Sequence, residues 1–350
     1  MDEQRQTTTI YLAERPEYGI VPGKTFASKT EPAPTVDELK DGQVLVETLY
    51  LSLDPSMRGL IANADRKSYI APVAIGQKML GGAVSRVLGS KSAKAKPGDI
   101  VHSFSGWTEV AIVPDAAVDV IQLPKGGKAT DILMAALNGP GPTAYIGLNK
   151  IANVKPGDTV VVSAAAGANG TLVGQLAKMY GAARVIGLTG SDQKCDWLRN
   201  EVGAFDAALN YKSPTFPQDL EAATPDEVDV YWDNVGGKLL DTMLTRAAKN
   251  GRFVVCGGIS EYNIPPEQRW GVRNTIELGK KRIRMEGFVV LDHAREMPQV
   301  RAELFKLVEE GKLKVFNTVL KGGIREAENA LVKMFEGENL GKLSLEVKAI

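Results

Sequence analysis

The segment VVVSAAAGANGTLVGQLAK, residues 160–178, passes from an uninterrupted apolar run through a turn of small residues into a helical pattern. Strand, tight turn and helix in that order form the local context of a dinucleotide-binding site. Within the turn, Gly167 and Gly170 take the second and third places of the G-x-G-x-x-G pattern and Ala165 takes the first. Glycine at 167 lets the backbone approach a pyrophosphate, and glycine at 170 lets helix and strand pack closely. The amides that open the helix favour negative charge. A turn with alanine in the first place also serves as plain structure, so the surrounding chain has to decide between the two.

The surrounding chain alternates. From about residue 131 the order is DTVVVSAA, a helix to Tyr180, ARVIGLTG, a helix over 192–202, DAALN, and a helix over 216–223. VDVYWDNV, a helix over 237–248, GRFVVCGG and IRMEGFVV complete it. Strands separated by helical crossovers build a parallel sheet covered on both faces, the doubly wound α/β (Rossmann) class. Residues 1–130 differ: short β-like runs (GQVLVETLYLSL, QKMLGGAVSRVLG, TEVAIV) are broken by Pro and Gly, without sustained helical period. That part reads as a β-rich, partly barrel-like domain. After residue 300, a helix (RAELFKLVEEGKL), VFNTVL, a helix over 325–335 and KLSLEVK do not extend the alternation. The expected division is therefore 1–130, a nucleotide domain over 131–299, and 300–350 returning to the first domain.

The chain has 350 residues, 44% hydrophobic and 24% charged, which suits two domains. Its 42 basic and 42 acidic side chains are spread evenly, so no footprint for nucleic acid or an anionic membrane is present and small molecules are the expected partners. The polar start MDEQRQTTTIYLAERPEYG has no apolar core, and no run approaches the roughly 20 apolar residues that span a bilayer. A soluble, cytoplasmic protein is expected. Two cysteines, Cys195 and Cys256, make neither a disulfide framework nor a multi-cysteine zinc site, and His102 and His293 stand apart from any metal-ligand spacing. No metal is expected.

An NAD site places Asp or Glu about 20 residues beyond the glycines, to bind the ribose hydroxyls. Here the position is Gly190, followed by Ser191, Asp192 and Lys194. Absence of the carboxylate removes repulsion, and Lys194 supplies a donor for a 2′-phosphate, so NADPH is favoured over NADH. Asp192 fits as a cap of the next helix.

The chain resembles the zinc-independent branch of the medium-chain dehydrogenases/reductases, specifically the prostaglandin reductase, leukotriene hydroxydehydrogenase and 2-alkenal double-bond reductase family. The resemblance runs through LSLDPSMRG (51–59), GPTAY (141–145), SAAAGANG (163–170), GSDQK (190–194) and NYK (210–212). It continues in DNVGG (233–237), CGGISEYN (256–263), EGFVV (286–290) and NLGK (339–342). It implies cofactor contacts at Thr143, Gly167, Ala168, Asn169 and Gly170, and at Ser191, Lys194 and Tyr211 toward the adenosine phosphate. On the nicotinamide side it implies Asn234, Cys256, Gly257, Gly258, Ile259, Ser260, Phe288, Val289, Val290 and Asn339. Arg58 and Tyr69 are candidate substrate residues. A GroES-like form of the β-rich domain is also implied, as is a homodimer, with an edge strand near RIRMEGFVV extending the sheet across it.

Zinc-dependent relatives carry a Gly-His-Glu segment where this chain has MLGGAVSRV. Without that Lewis acid, hydride addition to a conjugated C=C is better suited than alcohol–ketone interconversion. The expected reaction is NADPH-dependent reduction of an α,β-unsaturated aldehyde or ketone, with hydride to the β-carbon and charge building on the carbonyl oxygen. Tyr262, closing CGGISEY at a strand end, is the candidate hydrogen-bond donor to that oxygen; the alternative for it is packing. Cys256 reads as a buried small hydrophobe. The Pro-rich stretch NIPPEQRWGVRN, with Trp270, is expected to lie over the pocket. Two other functions fit the same fold: a quinone oxidoreductase, and an NADPH-binding protein without turnover.

Overall fold

Alternation of buried and outward residues marks the strands of the first part of the chain, as in Ala83–Ser90, where Arg86, Leu88 and Ser90 point out between buried neighbours. The computed structural model describes residues 4–63, 69–120, 123 and 127–349. Two compact units emerge: one formed by the chain through Met134 together with the chain from Asn317 on, the other by Ala135–Phe316.

In the first unit β1 (Gln6–Leu12) and β2 (Phe26–Pro32) form an antiparallel pair. Next come β3 (Gln43–Leu53), β4 (Ala83–Ser90), β5 (Ile100–Ser103), β6 (Val110–Pro114) and β7 (Val118–Val120). β3 is central: β4 runs along one edge, while the other edge takes β6 on Gln43–Glu47. Its sequence QVLVETLYLSL is almost wholly buried, as a strand covered on both sides must be. Trp107, fully buried with its ring 5.0 Å from Phe26, anchors the core with Leu12, Leu51, Leu53 and Met79.

The second unit is a six-stranded parallel sheet of β8 (Thr159–Ser163), β9 (Arg184–Thr189), β10 (Ala207–Asn210), β11 (Val228–Asp233), β12 (Ala247–Val255) and β13 (Arg284–Gly287). The spatial order is β10-β9-β8-β11-β12-β13. The order reverses between β8 and β11, the switch point at which open α/β sheets bind ligands outside their strand ends. Helices Ala168–Met179, Asp192–Trp197, Phe216–Ala223 and Gly237–Arg246 connect the strands. β13 is an edge strand, where the resemblance implies a second chain.

Helix Met297–Glu309 belongs to the second unit, not to the returning tail: Val300 and Leu304 are buried, and the Arg301 guanidinium donates to Leu137 O (3.0 Å) and Asn138 Oδ1 (2.5 Å). Its amphipathic pattern shows that it packs, without showing against what. The return begins at β14 (Asn317–Leu320), which lies parallel to β15 (Lys342–Glu346); β15 joins the free part of the β3 edge, with Leu343 opposite Leu53. Among the described residues no helix is long and apolar enough to cross a membrane.

Candidate active site

β8 ends at Ser163 and the chain turns through Ala164, which has a left-handed φ of 46°. Gly167 N–H closes the turn on Ala164 O at 3.0 Å and sits as N-cap of helix Ala168–Met179, offering no side-chain cap to the first amides. A Cβ at Gly170 would lie 2.5 Å from Ala164 O and 2.6 Å from Ala165 Cα, both backbone, so any side chain there forces helix and strand apart. Bare backbone at the start of a helix is the arrangement that can cradle a phosphate. Asn169 ties it to helix Pro140–Ile146 by donating to Pro140 O (3.0 Å), and its buried Oδ1 has no partner among the described residues. Thr143, on that helix, spends its hydroxyl on Gly139 O (2.8 Å).

At the end of β9, Ser191 caps helix Asp192–Trp197 by accepting from Lys194 N–H (3.3 Å). Asp192 is not the cap, contrary to the expectation: it is the first helical residue, and its carboxylate accepts from Asn210 Nδ2 at 3.0 Å. A Cβ at Gly190 would stand 3.1 Å from Tyr211 Oη and 3.4 Å from Lys212 Cε. Burial pushes the Lys194 ammonium below the usual lysine range, and the neighbouring charge of Lys212 pushes it the same way. Burial also raises the Tyr211 hydroxyl. Tyr211 thus faces Gly190 and Ser191 adjoins it; Lys212, absent from the sequence-derived set, also faces it, with Lys194 within reach of the Lys212 charge.

The switch point is held by a dense network. Asn234 donates to Ser163 O (2.7 Å) and accepts from Trp232 Nε1 (3.1 Å), while its own N–H reaches Ser163 Oγ (2.8 Å). Asp233 is fully buried: Oδ1 accepts from Tyr231 Oη and the amides of Val235 and Gly236, and Oδ2 has no partner among the described residues. Burial pushes this carboxyl up against the pull of those hydrogen bonds. The amides of Cys256 and Gly257 donate to Asp233 O, and those of Ile259 and Ser260 to Asn234 O and Val235 O, so residues 256–260 fold back on the β11 turn. Burial, with the nearby Asp233, pushes the Cys256 thiol up to about 12, which keeps it protonated and unsuited to nucleophilic work.

Tyr262 follows this segment, and its Oη accepts the Gly258 N–H at 3.2 Å; a Cβ at Gly257 would lie 3.2 Å from the same oxygen. The hydroxyl therefore rests on the backbone that leaves β12. Beyond β13, Phe288 meets Trp232 edge to face with centroids 6.1 Å apart, and Val289 and Val290 are half-buried. Trp270 is committed elsewhere: its Nε1 donates to Asp241 Oδ2 (3.1 Å), and the Arg273 guanidinium stacks 4.1 Å from its ring. Asp241 Oδ1 also accepts the amides of Arg273 and Asn274, both at 2.8 Å. The stretch expected to lie over the pocket is thus strapped to helix Gly237–Arg246.

Arg58, Tyr69 and Asn339 belong to the first unit, whereas Tyr262 and the remaining residues belong to the second. Arg58 is buried in the short helix Met57–Leu60 with a hydrogen bond to Glu17 O (3.3 Å); Tyr69 is 61% exposed. Asn339 Nδ2 donates to Gly341 O (2.7 Å). Nearby in sequence, the buried ammonium of Lys342 bonds Asp54 Oδ1 (3.0 Å) and Leu53 O (2.5 Å). Of the histidines, His102 is buried with Asp119 at 3.7 Å and His293 pairs with Glu296 at 3.0 Å. Among the described residues no three His, Cys, Asp or Glu side chains group so as to hold a metal ion.

Residues 8–121 match the family model for the N-terminal domain of oxidoreductase, and residues 168–306 that for zinc-binding dehydrogenase. The chain is 41% identical over 303 residues to the NADP(+)-dependent 2-alkenal reductase of Nicotiana tabacum, covering 85% of each. It is 36% identical over 352 residues to the NADPH-dependent curcumin reductase of Escherichia coli, covering 99% of each. The crystal structure of CurA from Vibrio vulnificus in complex with NADPH superposes with a TM-score of 0.87 at 33% identity, covering 98% of this chain and 100% of that one. The chain belongs to the zinc-independent medium-chain dehydrogenase/reductase family.

Proposed function

We propose that this protein is an NADPH-dependent reductase of the C=C bond of α,β-unsaturated aldehydes and ketones. The likeness to an alkenal reductase and a curcumin reductase supports the reaction class. The residues fit the cofactor: the Gly167–Gly170 turn suits the pyrophosphate, and the side-chain-free position 190, faced by Tyr211 and followed by the helix that carries Lys194, suits a phosphorylated ribose. NADPH, when bound, supplies the hydride that adds to the β-carbon. Asn234 and residues 256–260 shape the sheet end on which the nicotinamide would lie.

The observation that carries the catalytic part is the Tyr262 hydroxyl, fixed on Gly258 N–H where the chain leaves β12. Open α/β sheets bind their ligands at this end of the strands. A phenol held there donates a hydrogen bond to the carbonyl oxygen as it becomes an enolate, lowering the barrier where charge develops. It also stands as a proton source for completing the reduction. The test is NADPH consumption with a panel of 2-alkenals, enones, long-chain oxo-lipids and quinones. Enals and enones are expected to give the highest kcat/KM; turnover of quinones in preference to every activated alkene would overturn the reading.

A further inference from the structure

We infer that Lys212 is a second cation that, alongside Lys194, reads the 2′-phosphate of NADPH. The inference rests on the NADPH reading above and adds a specificity residue to it. Its origin is the register of the sheet. β9 and β10 pair in parallel with Thr189 opposite Asn210, so the next residues, Gly190 and Tyr211, leave the two strands side by side. Lys212 follows at once, and its Nζ would lie 3.5 Å from a Cβ at Gly190, its Cε 3.4 Å. The ammonium therefore hangs over a strand-end position that carries no side chain. In an NAD site that position extends a carboxylate; here the chain places no side chain of its own there, and the groups that face the position, Tyr211 Oη and the Lys212 ammonium, are those that would bind an anion carried by the ligand.

Lys194, on the first turn of helix Asp192–Trp197, lies close enough to Lys212 to feel its charge. Two like charges repel, and a doubly charged phosphate between them removes that cost. The local acid is kept occupied: Asp192 accepts from Asn210 Nδ2, while Asn210 Oδ1 accepts the Lys212 N–H at 3.0 Å. Asn210 thus fastens the turn that presents Lys212 and engages the nearest carboxylate in one side chain.

The test is calorimetric titration of the full-length protein with adenosine 2′,5′-bisphosphate and with adenosine 5′-monophosphate, which differ in the phosphate alone. Lys212→Met keeps the apolar stem and removes the charge; it is expected to weaken the bisphosphate about tenfold and to change the monophosphate less than about twofold, as loss of a charge-assisted contact requires. Lys212→Arg should restore most of the loss, and rising salt should shrink the difference between wild type and Lys212→Met. An unchanged bisphosphate affinity in Lys212→Met, or equal weakening of both ligands, would overturn the assignment while leaving the NADPH reading intact. A wild-type protein that does not distinguish the two ligands would remove the NADPH reading itself, and the assignment with it.

Discussion

Replacing Tyr262 with Phe separates catalysis from packing, because the structure fixes the size of each effect independently. The substitution keeps the ring and deletes the oxygen that accepts the Gly258 N–H at 3.2 Å. A half-buried amide that loses its partner costs about 1 kcal/mol, which for a unit of this size lowers Tm by about 2 to 4 °C. Loss of a donor aimed at developing negative charge costs about 100-fold in rate, or about 2.7 kcal/mol of transition-state stabilisation. The second effect is the larger and appears in kcat. NADPH affinity, measured by fluorescence titration, should change little, since such a donor acts on charge absent from the ground state. Stopped-flow turnover of a saturating enone and a thermal melt of the same preparation are the assays. A variant that melts a few degrees lower yet keeps more than about a third of wild-type kcat would show that the hydroxyl only ties down residues 257–262.

Gly170→Ala should lower stability by about 1 to 3 kcal/mol and abolish nucleotide binding, because its Cβ meets two backbone atoms; Gly59→Ala, with nothing within 4 Å, should do neither, and equal melts for the two would refute the close-packing argument. Asp241 has a carboxyl held below the ordinary 3.8: burial opposes ionisation, but hydrogen bonds from Asn274, Trp270 and Arg273 outweigh it. A depressed carboxylate contributes stability above its unfolded pKa that is lost as pH falls through the folded one. Asp241→Asn should therefore melt lower than wild type at pH 6, and the gap should close as pH falls below 3.8; a gap independent of pH would show that the charge is not what straps the 270–274 stretch. Dialysis against a strong chelator should leave reductase activity unchanged, and activity lost with stoichiometric zinc would refute the metal-free reading.

The turn at 164–170 was legible because its chemistry is local: the strand, the glycines and the helix are consecutive, and each glycine's need is set by neighbours in the same turn. The six parallel strands followed from the alternation of patterns for the same reason. Lys212 was not legible as a site residue. Its position beside Gly190 arises from the pairing of β9 with β10, and sequence spacing carries no information on that register. The anchor of Trp270 was not legible because Asp241 lies on a separate helix, and a Pro-rich run states that a loop is present without stating what it binds. Met297–Glu309 failed similarly, since its apolar stripe fits either unit and the Arg301 contacts with Leu137 and Asn138 decide the matter.

The position of β15 has a consequence for synthesis on the ribosome. The second unit is one unbroken stretch of chain, so all six of its strands have emerged once Gly287 is made. The first unit is made of two stretches, and the edge of β3 opposite β4 gains its partner over Tyr50–Leu53 only when Lys342–Glu346 appears. Until then Leu51 and Leu53 lack the cover of Leu343 and Leu345, and Asp54 lacks the Lys342 ammonium. A nascent chain that has exposed residues through Phe316 but not Lys342–Glu346 therefore carries a complete nucleotide unit and an open, apolar strand edge, the kind of edge that recruits strands from other unfinished chains. The order of translation makes the closing segment the vulnerable step, and a chaperone engaging this chain would be needed for the β-rich unit alone.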